Sequence, residues 1–377
     1  MQGTRGKMSR LDWPLFLVAL LLCGVGLLNV YSGTRIYNTP GLPLFAKQLV
    51  WIGMGVFVFF LFYLSGDGFV EQVTTIFFYV IVGCLALVLL AGSARMGAQR
   101  WIAIGGFNFQ PSEFAKIALV LVFSKYFANR YSYSGITFVE TLPAMGLVAV
   151  PFVLVALQPD LGTAGIFLFI LAGMMVVAGV RFRVLASLSA LAIAAVPALW
   201  FVMKDYQKQR VLTFLDPERD PLGAGYHVIQ SQIAVGSGGF LGKGYLQGTQ
   251  GSLRFLPEQH TDFAFSVFAE EWGFAGAVGL LALFALLVYR GFHLAARSQD
   301  RFASFVCGGM TVYFLAHIAI NLAMVCGFFP VVGIPLPFVS YGGSSMVTNM
   351  MALGIIANVA RTRYTFQGQG DGEAGGV

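Results

Sequence analysis

Ten stretches of this chain are apolar over a length that matches the hydrocarbon core of a bilayer, which takes about 20 mostly apolar residues per helix. They read at about 13–32, 46–64, 73–91, 113–128, 143–158, 161–180, 184–203, 263–289, 304–328 and 339–360. In lipid, every backbone N–H and C=O must be satisfied within the protein, so such a chain is restricted to a bundle of membrane helices. The expected fold is therefore an all-α polytopic membrane protein, a single membrane domain with ten transmembrane helices. Composition agrees: 57% of the 377 residues are hydrophobic and 11% charged, against about 45–50% and 25% in an ordinary soluble domain. A soluble globular domain and a disordered chain are both excluded. The first span is too long for the apolar core of a signal peptide and no small-x-small cleavage site follows, so it is expected to remain as a helix. Cys23, Cys84, Cys307 and Cys326 all lie in apolar runs and read as small buried hydrophobes.

The organisation that follows is a tail at 1–12, helices one to seven over 13–203, a long loop at 204–262, helices eight to ten over 263–360, and a Gly-rich tail at 361–377. The net charge of +6, from 23 Lys+Arg and 17 Asp+Glu, has to be judged by position. With the N-terminus inside, that side collects twelve basic residues: Arg5, Lys7, Arg10, Lys125, Arg130, Arg181, Arg183, Arg290, Arg297, Arg301, Arg361 and Arg363. The short opposite loops collect four: Arg35, Lys47, Arg95 and Arg100. Lys116 lies in a helix and the other six basic residues lie in the long loop, which crosses regardless of charge. Positive charge is retained in the cytoplasm, so both termini are expected there and the long loop outside. The basic excess is thereby explained without a nucleic-acid partner.

A loop this long is unusual unless it works, since structureless loops beyond about 12–15 residues are uncommon. Residues 225–236 read within it as a short amphipathic helix, with Tyr226, Ile229 and Ile233 near helical spacing among polar residues. The Gly-rich run 236–244 lacks a preceding strand and a GxxxxGK[ST] string, so it reads as a tight turn rather than a nucleotide loop. Lys243 in that turn is either solvated or a point charge for a phosphate.

Charges at the ends of apolar helices are expensive in a membrane and therefore informative. Glu113 and Lys116 are three apart, which fits either an ion pair or the wall of a polar cavity. Asp160, after Pro159, fits a helix N-cap. Asp262 enters an apolar helix directly after His260 and Thr261, near Glu258, and is either an N-cap or a reactive carboxylate. Glu270 and Glu271 are adjacent, so at least one is expected to face water or a basic residue. His260 is the histidine beside a carboxylate cluster, whereas His317 reads as a hydrogen-bonded core group. No HExxH, CxxC or Cys/His quartet points to a structural zinc.

The strings GAQRW (97–101), FQPSEFAK (109–116), QPDLGT (158–163), AVGSGGFLGKG (234–244), FLPEQHTDFAF (255–265) and PLPFVSYGGSS (335–345) closely resemble the SEDS (shape, elongation, division, sporulation) family of cell-wall polymerases. GKGYLQGTQGSLRFLPEQHTDF (242–263) resembles the elongation branch more than the division branch. The resemblance implies a peptidoglycan glycosyltransferase that polymerises lipid II at the outer face of the bacterial cytoplasmic membrane. It makes Asp262 the catalytic aspartate, and Lys47, Arg100, Glu113, Lys116 and Arg210 the charged cavity groups that bind the pyrophosphate and sugar. Asp160, Lys243, Glu258 and His260 join them as substrate-binding candidates. It also implies a divalent cation, Mg or Mn, held partly by the substrate pyrophosphate with unassigned protein ligands. The implied partners are lipid II and the nascent glycan, a class B penicillin-binding protein that supplies transpeptidation, and other membrane proteins of the elongation machinery. The chemistry is consistent by itself: an acceptor hydroxyl needs one carboxylate base, and a pyrophosphate leaving group needs cations rather than an acid. A lipid II flippase or transporter and a non-enzymatic scaffold are the rival readings; the first is expected to show repeated halves, and none is evident by eye.

Overall fold

The computed structural model describes residues 11–370 apart from 36–41, 67, 96–97, 105–106, 133–134, 221–222, 254 and 257. Among the described residues the chain is mostly helical. The first half runs α1 (Trp13–Thr34), α2 (Leu44–Tyr63), α3 (Phe69–Ala91), β1 (Ser93–Arg95), β2 (Ala98–Ile104), β3 (Phe107–Phe109), α4 (Pro111–Ala128), α5 (Phe138–Leu157), α6 (Leu161–Val177) and α7 (Phe182–Val202). The second half runs α8 (Asp205–Leu215), a 3-10 turn (Pro217–Arg219), α9 (Ala224–Ser237), α10 (Thr249–Ser252), α11 (Ala264–Arg297), α12 (Arg301–Val325) and α13 (Gly343–Gly370). Seven helices, α1, α2, α3, α5, α11, α12 and α13, are long and apolar enough to cross a membrane, and α6 and the Phe182–Ala198 part of α7 are apolar but shorter. The architecture is that of a polytopic membrane protein.

Helix α4 owes its place to its polar residues. It carries Glu113, Lys116 and Ser124, all buried, and it packs against α3, α6 and α12. Its charges therefore meet one another inside the bundle instead of lipid. The α2–α13 pair closes by a different device. A Cβ at Gly354 would stand 2.6 Å from the Phe59 carbonyl oxygen, so only glycine lets the two backbones approach this closely.

Three features depart from the expected layout. The all-α expectation is corrected by an antiparallel sheet of order β1-β2-β3, paired Ser93↔Trp101 and Ile102↔Phe109 at its two seams. Its sequence signal is a Gly105-Gly106 pair between Ile104 and Phe107, flanked by β-branched and aromatic residues. The tenth helix, expected from 339, begins at Gly343; the segment before it is not helical, buries Leu336, Phe338 and Val339, and lends Gly333, Ile334, Pro335, Tyr341 and Gly342 to the cavity described below.

The third departure lies in the eighth expected span. α11 starts close to the expected residue but is broken at Gly273, whose φ of 64° and ψ of −165° are not helical. The turn at 239–244 fills the break with backbone hydrogen bonds. Lys243 N–H donates to the Glu270 carbonyl at 3.0 Å and Gly244 N–H to that of Glu271 at 3.0 Å, while Phe274 N–H donates to Gly239 at 2.9 Å and Ala275 N–H to Phe240 at 3.0 Å. The groups freed by the break are thus satisfied by the loop, as buried peptide groups require. The amphipathic helix expected at 225–236 is α9, and the loop holds a further helix, α8, where no periodicity had pointed to one.

Candidate active site

A cavity of about 880 Å³ opens where α2, β2, α4, the start of α6, the 258–262 turn and the 333–345 segment meet. Eight of the ten residues singled out in the sequence line it: Lys47, Arg100, Glu113, Lys116, Asp160, Glu258, His260 and Asp262. The other two lie apart. Arg210 is exposed on α8, close enough for its charge to act on Asp262. Lys243 is committed elsewhere, with its ammonium 2.6 Å from Glu270 Oε1 and 2.9 Å from Thr249 Oγ1. Glu270 also accepts the Thr249 N–H at 2.8 Å, and Glu271 accepts from the Ser32 hydroxyl. The adjacent carboxylates therefore clamp the long loop to α11 and α1.

Asp262 is fixed through its backbone. Its N–H donates to the Glu258 carbonyl at 3.1 Å, and Glu258 adopts a left-handed φ of 50° that tightens the turn. Its own carbonyl accepts from Asn321 Nδ2 at 2.9 Å, and the same amide donates to Ile334 at 2.7 Å. The N-cap alternative does not hold: Phe263 occupies that position and no side chain caps the helix. The carboxylate is thus left to the cavity, opposite Gly333, where a Cβ would come within 3.1 Å of Oδ2. Desolvation pushes the Asp262 pKa up to about 7; Glu258 and Asp160 add to the rise, and Arg100 and Arg210 oppose it. A base so tuned is half ionised near neutrality. Burial likewise pushes the His260 imidazole below its ordinary value, against an opposing pull from Glu258, and its ring sits 5.7 Å from that of Tyr341.

Asn321 was not singled out in the sequence, where it is one polar residue in an apolar helix. Replacing it by Leu strips a donor from two carbonyls at once, and the expected loss of stability is about 1–3 kcal/mol, read as a lowered melting temperature. An unchanged melt would show that the two bonds do not anchor the turn.

At the neighbouring wall, Asp160 is the N-cap of α6, accepting from Thr163 N–H at 3.3 Å and Thr163 Oγ1 at 2.9 Å. It also faces Arg100 Nε at 3.7 Å, while Arg100 Nη2 donates to the Pro159 carbonyl at 2.5 Å. The cap and the cavity charge are one residue. Deeper in, Lys116 Nζ donates to Glu113 Oε1 at 2.6 Å and lies 3.0 Å from His317 Nε2. His317 is thus the hydrogen-bonded core group expected of it and also a cavity residue, a role that no local pattern signals. The lining cations Lys47, Arg100 and Lys116 stand against the carboxylates Glu113, Asp160, Glu258 and Asp262, three against four when all are ionised. Among the described residues, no group of three or more His, Cys, Asp or Glu is disposed to hold a metal ion.

Comparison with known proteins places these features in a wider set. The family model described as "Cell cycle protein" (FtsW/RodA/SpoVE) matches residues 12–365. The chain is 42% identical over 354 residues to peptidoglycan glycosyltransferase MrdB of Escherichia coli (strain K12), covering 93% of each chain. Among solved structures, it resembles a chain of a peptidoglycan synthase complex that coordinates polymerization and crosslinking, with a TM-score of 0.80 and 36% identity over 94% of this chain and 98% of that one. It also resembles the rod shape determining protein RodA of Thermus thermophilus, with a TM-score of 0.68 and 29% identity over the same shares.

Proposed function

The chain belongs to the FtsW/RodA/SpoVE family of cell cycle proteins, and from that membership and the carboxylate in its cavity we propose how it works. It is a peptidoglycan glycosyltransferase and a multi-pass membrane protein of a bacterial peptidoglycan synthase. Its substrate is lipid II, and its product is the glycan strand made during elongation. Asp262 is the general base: it takes the proton of the acceptor hydroxyl as that oxygen attacks the donor anomeric carbon, and undecaprenyl pyrophosphate leaves. The observation that carries this reading is a carboxylate released from helix capping, facing a polar cavity, with a pKa raised to about 7. The charge that develops on the leaving pyrophosphate needs fixed cations, and Arg100 and Lys47 line the same cavity.

The cavity carries no net positive charge of its own, so a divalent cation fits the substrate's need. The residues fit an ion shared with the pyrophosphate, with a cavity carboxylate other than the base, such as Glu258, lending one ligand, rather than a protein cage. When bound, such an ion neutralises leaving-group charge. Helices α1–α7 and α11–α13 make ten spans, with both termini in the cytoplasm and the cavity on the opposite side of the cytoplasmic membrane. The twelve-to-four bias of basic residues supports that orientation. A class B penicillin-binding protein is the partner, in keeping with the synthase complex whose chain this one resembles.

The test is glycan assembly from purified lipid II by the purified chain in liposomes, with and without such a partner. Polymerised strands are expected. Transbilayer movement of lipid II without any polymer would favour a transporter and overturn the proposal.

A further inference from the structure

The Glu113–Lys116 wall of the cavity has two hydrogen-bonding positions that the protein does not fill. The Lys116 ammonium has three protons. One goes to Glu113 Oε1 at 2.6 Å and a second to His317 Nε2 at 3.0 Å. The His317 nitrogen accepts because its Nδ1 faces the Pro335 carbonyl at 3.4 Å and carries the ring proton toward it. Among the described residues the third ammonium proton has no hydrogen-bond partner. The opposite valence is open as well: Glu113 is 4% exposed, and its Oε2 is buried with no hydrogen-bond partner. All three side chains line the cavity.

Ammonium, carboxylate and neutral imidazole sum to zero charge, and what they offer is one N–H donor beside one carboxylate acceptor. A phosphate is a poor match. Its acceptor-only oxygens would satisfy Lys116 but meet Glu113 Oε2 as like charge. An uncharged group with a donor and an acceptor satisfies both and removes the penalty of the orphaned carboxylate oxygen. We propose that this wall is a subsite for an uncharged donor–acceptor group on the substrate sugar, an N-acyl amide or a hydroxyl, with the phosphates toward Arg100 and Lys47. His317 is a positioning residue there: by taking one ammonium proton it leaves a single donor for the sugar. This rests on the glycosyltransferase reading above.

The experiment uses the full chain, lipid II as substrate and inorganic pyrophosphate as the probe of the phosphate site. Glu113→Gln is expected to raise KM about tenfold with a much smaller change in kcat, because it weakens binding common to ground and transition states. Inhibition by pyrophosphate should stay within about twofold of wild type, since the phosphate site is elsewhere. A phosphate subsite requires the opposite, because losing the carboxylate removes a repulsion; a lower KM and several-fold tighter pyrophosphate inhibition would overturn the proposal.

Substrates lacking the N-acyl group or single hydroxyls identify the group: the one that matters should bind wild type weakly and be insensitive to Glu113→Gln. If every analogue keeps the full Glu113→Gln effect, the proposal is wrong. Should that variant fail to fold, His317→Phe serves instead; it keeps the Glu113–Lys116 bond and should raise KM, with His317→Gln restoring most of the loss. An unchanged KM in His317→Phe would also overturn it. Binding of the same substrates to Asp262→Asn, read by thermal shift, remains measurable if the polymerase reading fails, so the two failures are distinguishable.

Discussion

Replacing Asp262 by Asn is expected to lower glycan polymerisation by about 10²-fold or more while leaving the chain folded. The amide is nearly isosteric and cannot take a proton from the acceptor hydroxyl. Because Phe263, not Asp262, sits at the N-cap of α11, no capping bond is lost, and the backbone bonds to Glu258 and Asn321 remain. The same variant should be more stable than wild type at high pH. The folded carboxyl has a pKa of about 7 against an ordinary 3.8. Between these values the folded state holds a proton that the unfolded state has released, so stability is undiminished below 3.8, falls as pH rises, and reaches its full deficit above 7. The distance from 3.8 to about 7 corresponds to an upper limit of about 4 kcal/mol. Melting temperatures should therefore coincide near pH 4, with the Asn variant higher near pH 8, and wild-type activity should fall as pH drops through about 7. Wild-type polymerisation rates in the variant would remove Asp262 from the mechanism; an equal melt at high pH would remove the strain from its ionisation.

The second large effect is expected at Gly273. Its φ of 64° and ψ of −165° fall in a region essentially reserved for glycine. A Cβ there would stand 2.2 Å from the Gly242 nitrogen and 2.8 Å from the Leu241 carbonyl carbon, both backbone atoms that cannot step aside. Gly273→Ala should cost about 3 kcal/mol or more. It should also abolish activity, because the 239–244 turn and the half-helix that follows Asp262 brace each other. Gly279→Ala, in the same helix with nothing within 4 Å of the added carbon, is the control expected to melt like wild type. A Gly273→Ala protein with normal stability would show that the loop does not depend on the break.

Much of the fold was legible because membrane helices announce themselves by length and hydropathy, which are local. The starts of α1, α2 and α6 fall within two residues of expectation, and α9 appeared where a 3.6-residue period crossed a polar loop. The β-strands at 93–109 were not legible in the same way, since they are short and abut an apolar span. Lys243 shows the same limit from the other side. A lysine between two glycines read as either solvated or a point charge for a phosphate, whereas its ammonium meets Glu270, 27 residues away in sequence.

The sequence alone therefore determined a membrane bundle and its basic-residue asymmetry, and it marked Glu113, Lys116, Asp160 and Asp262 because apolar runs and charges at helix ends carry their cost wherever the chain goes; the family resemblance added Lys47 and Arg100 to the cavity residues. Only the tertiary structure decided what each charge does. Asp262 could cap a helix or act as a base until Phe263 was seen at the cap, and Asp160 proves to be both the cap of α6 and the carboxylate that faces Arg100. His317 became a cavity residue only by meeting Lys116 across 201 residues of sequence. A side chain's chemistry depends on desolvation and on its nearest charges, and those neighbours come from helices that are remote in sequence, so no pattern within one segment can specify them.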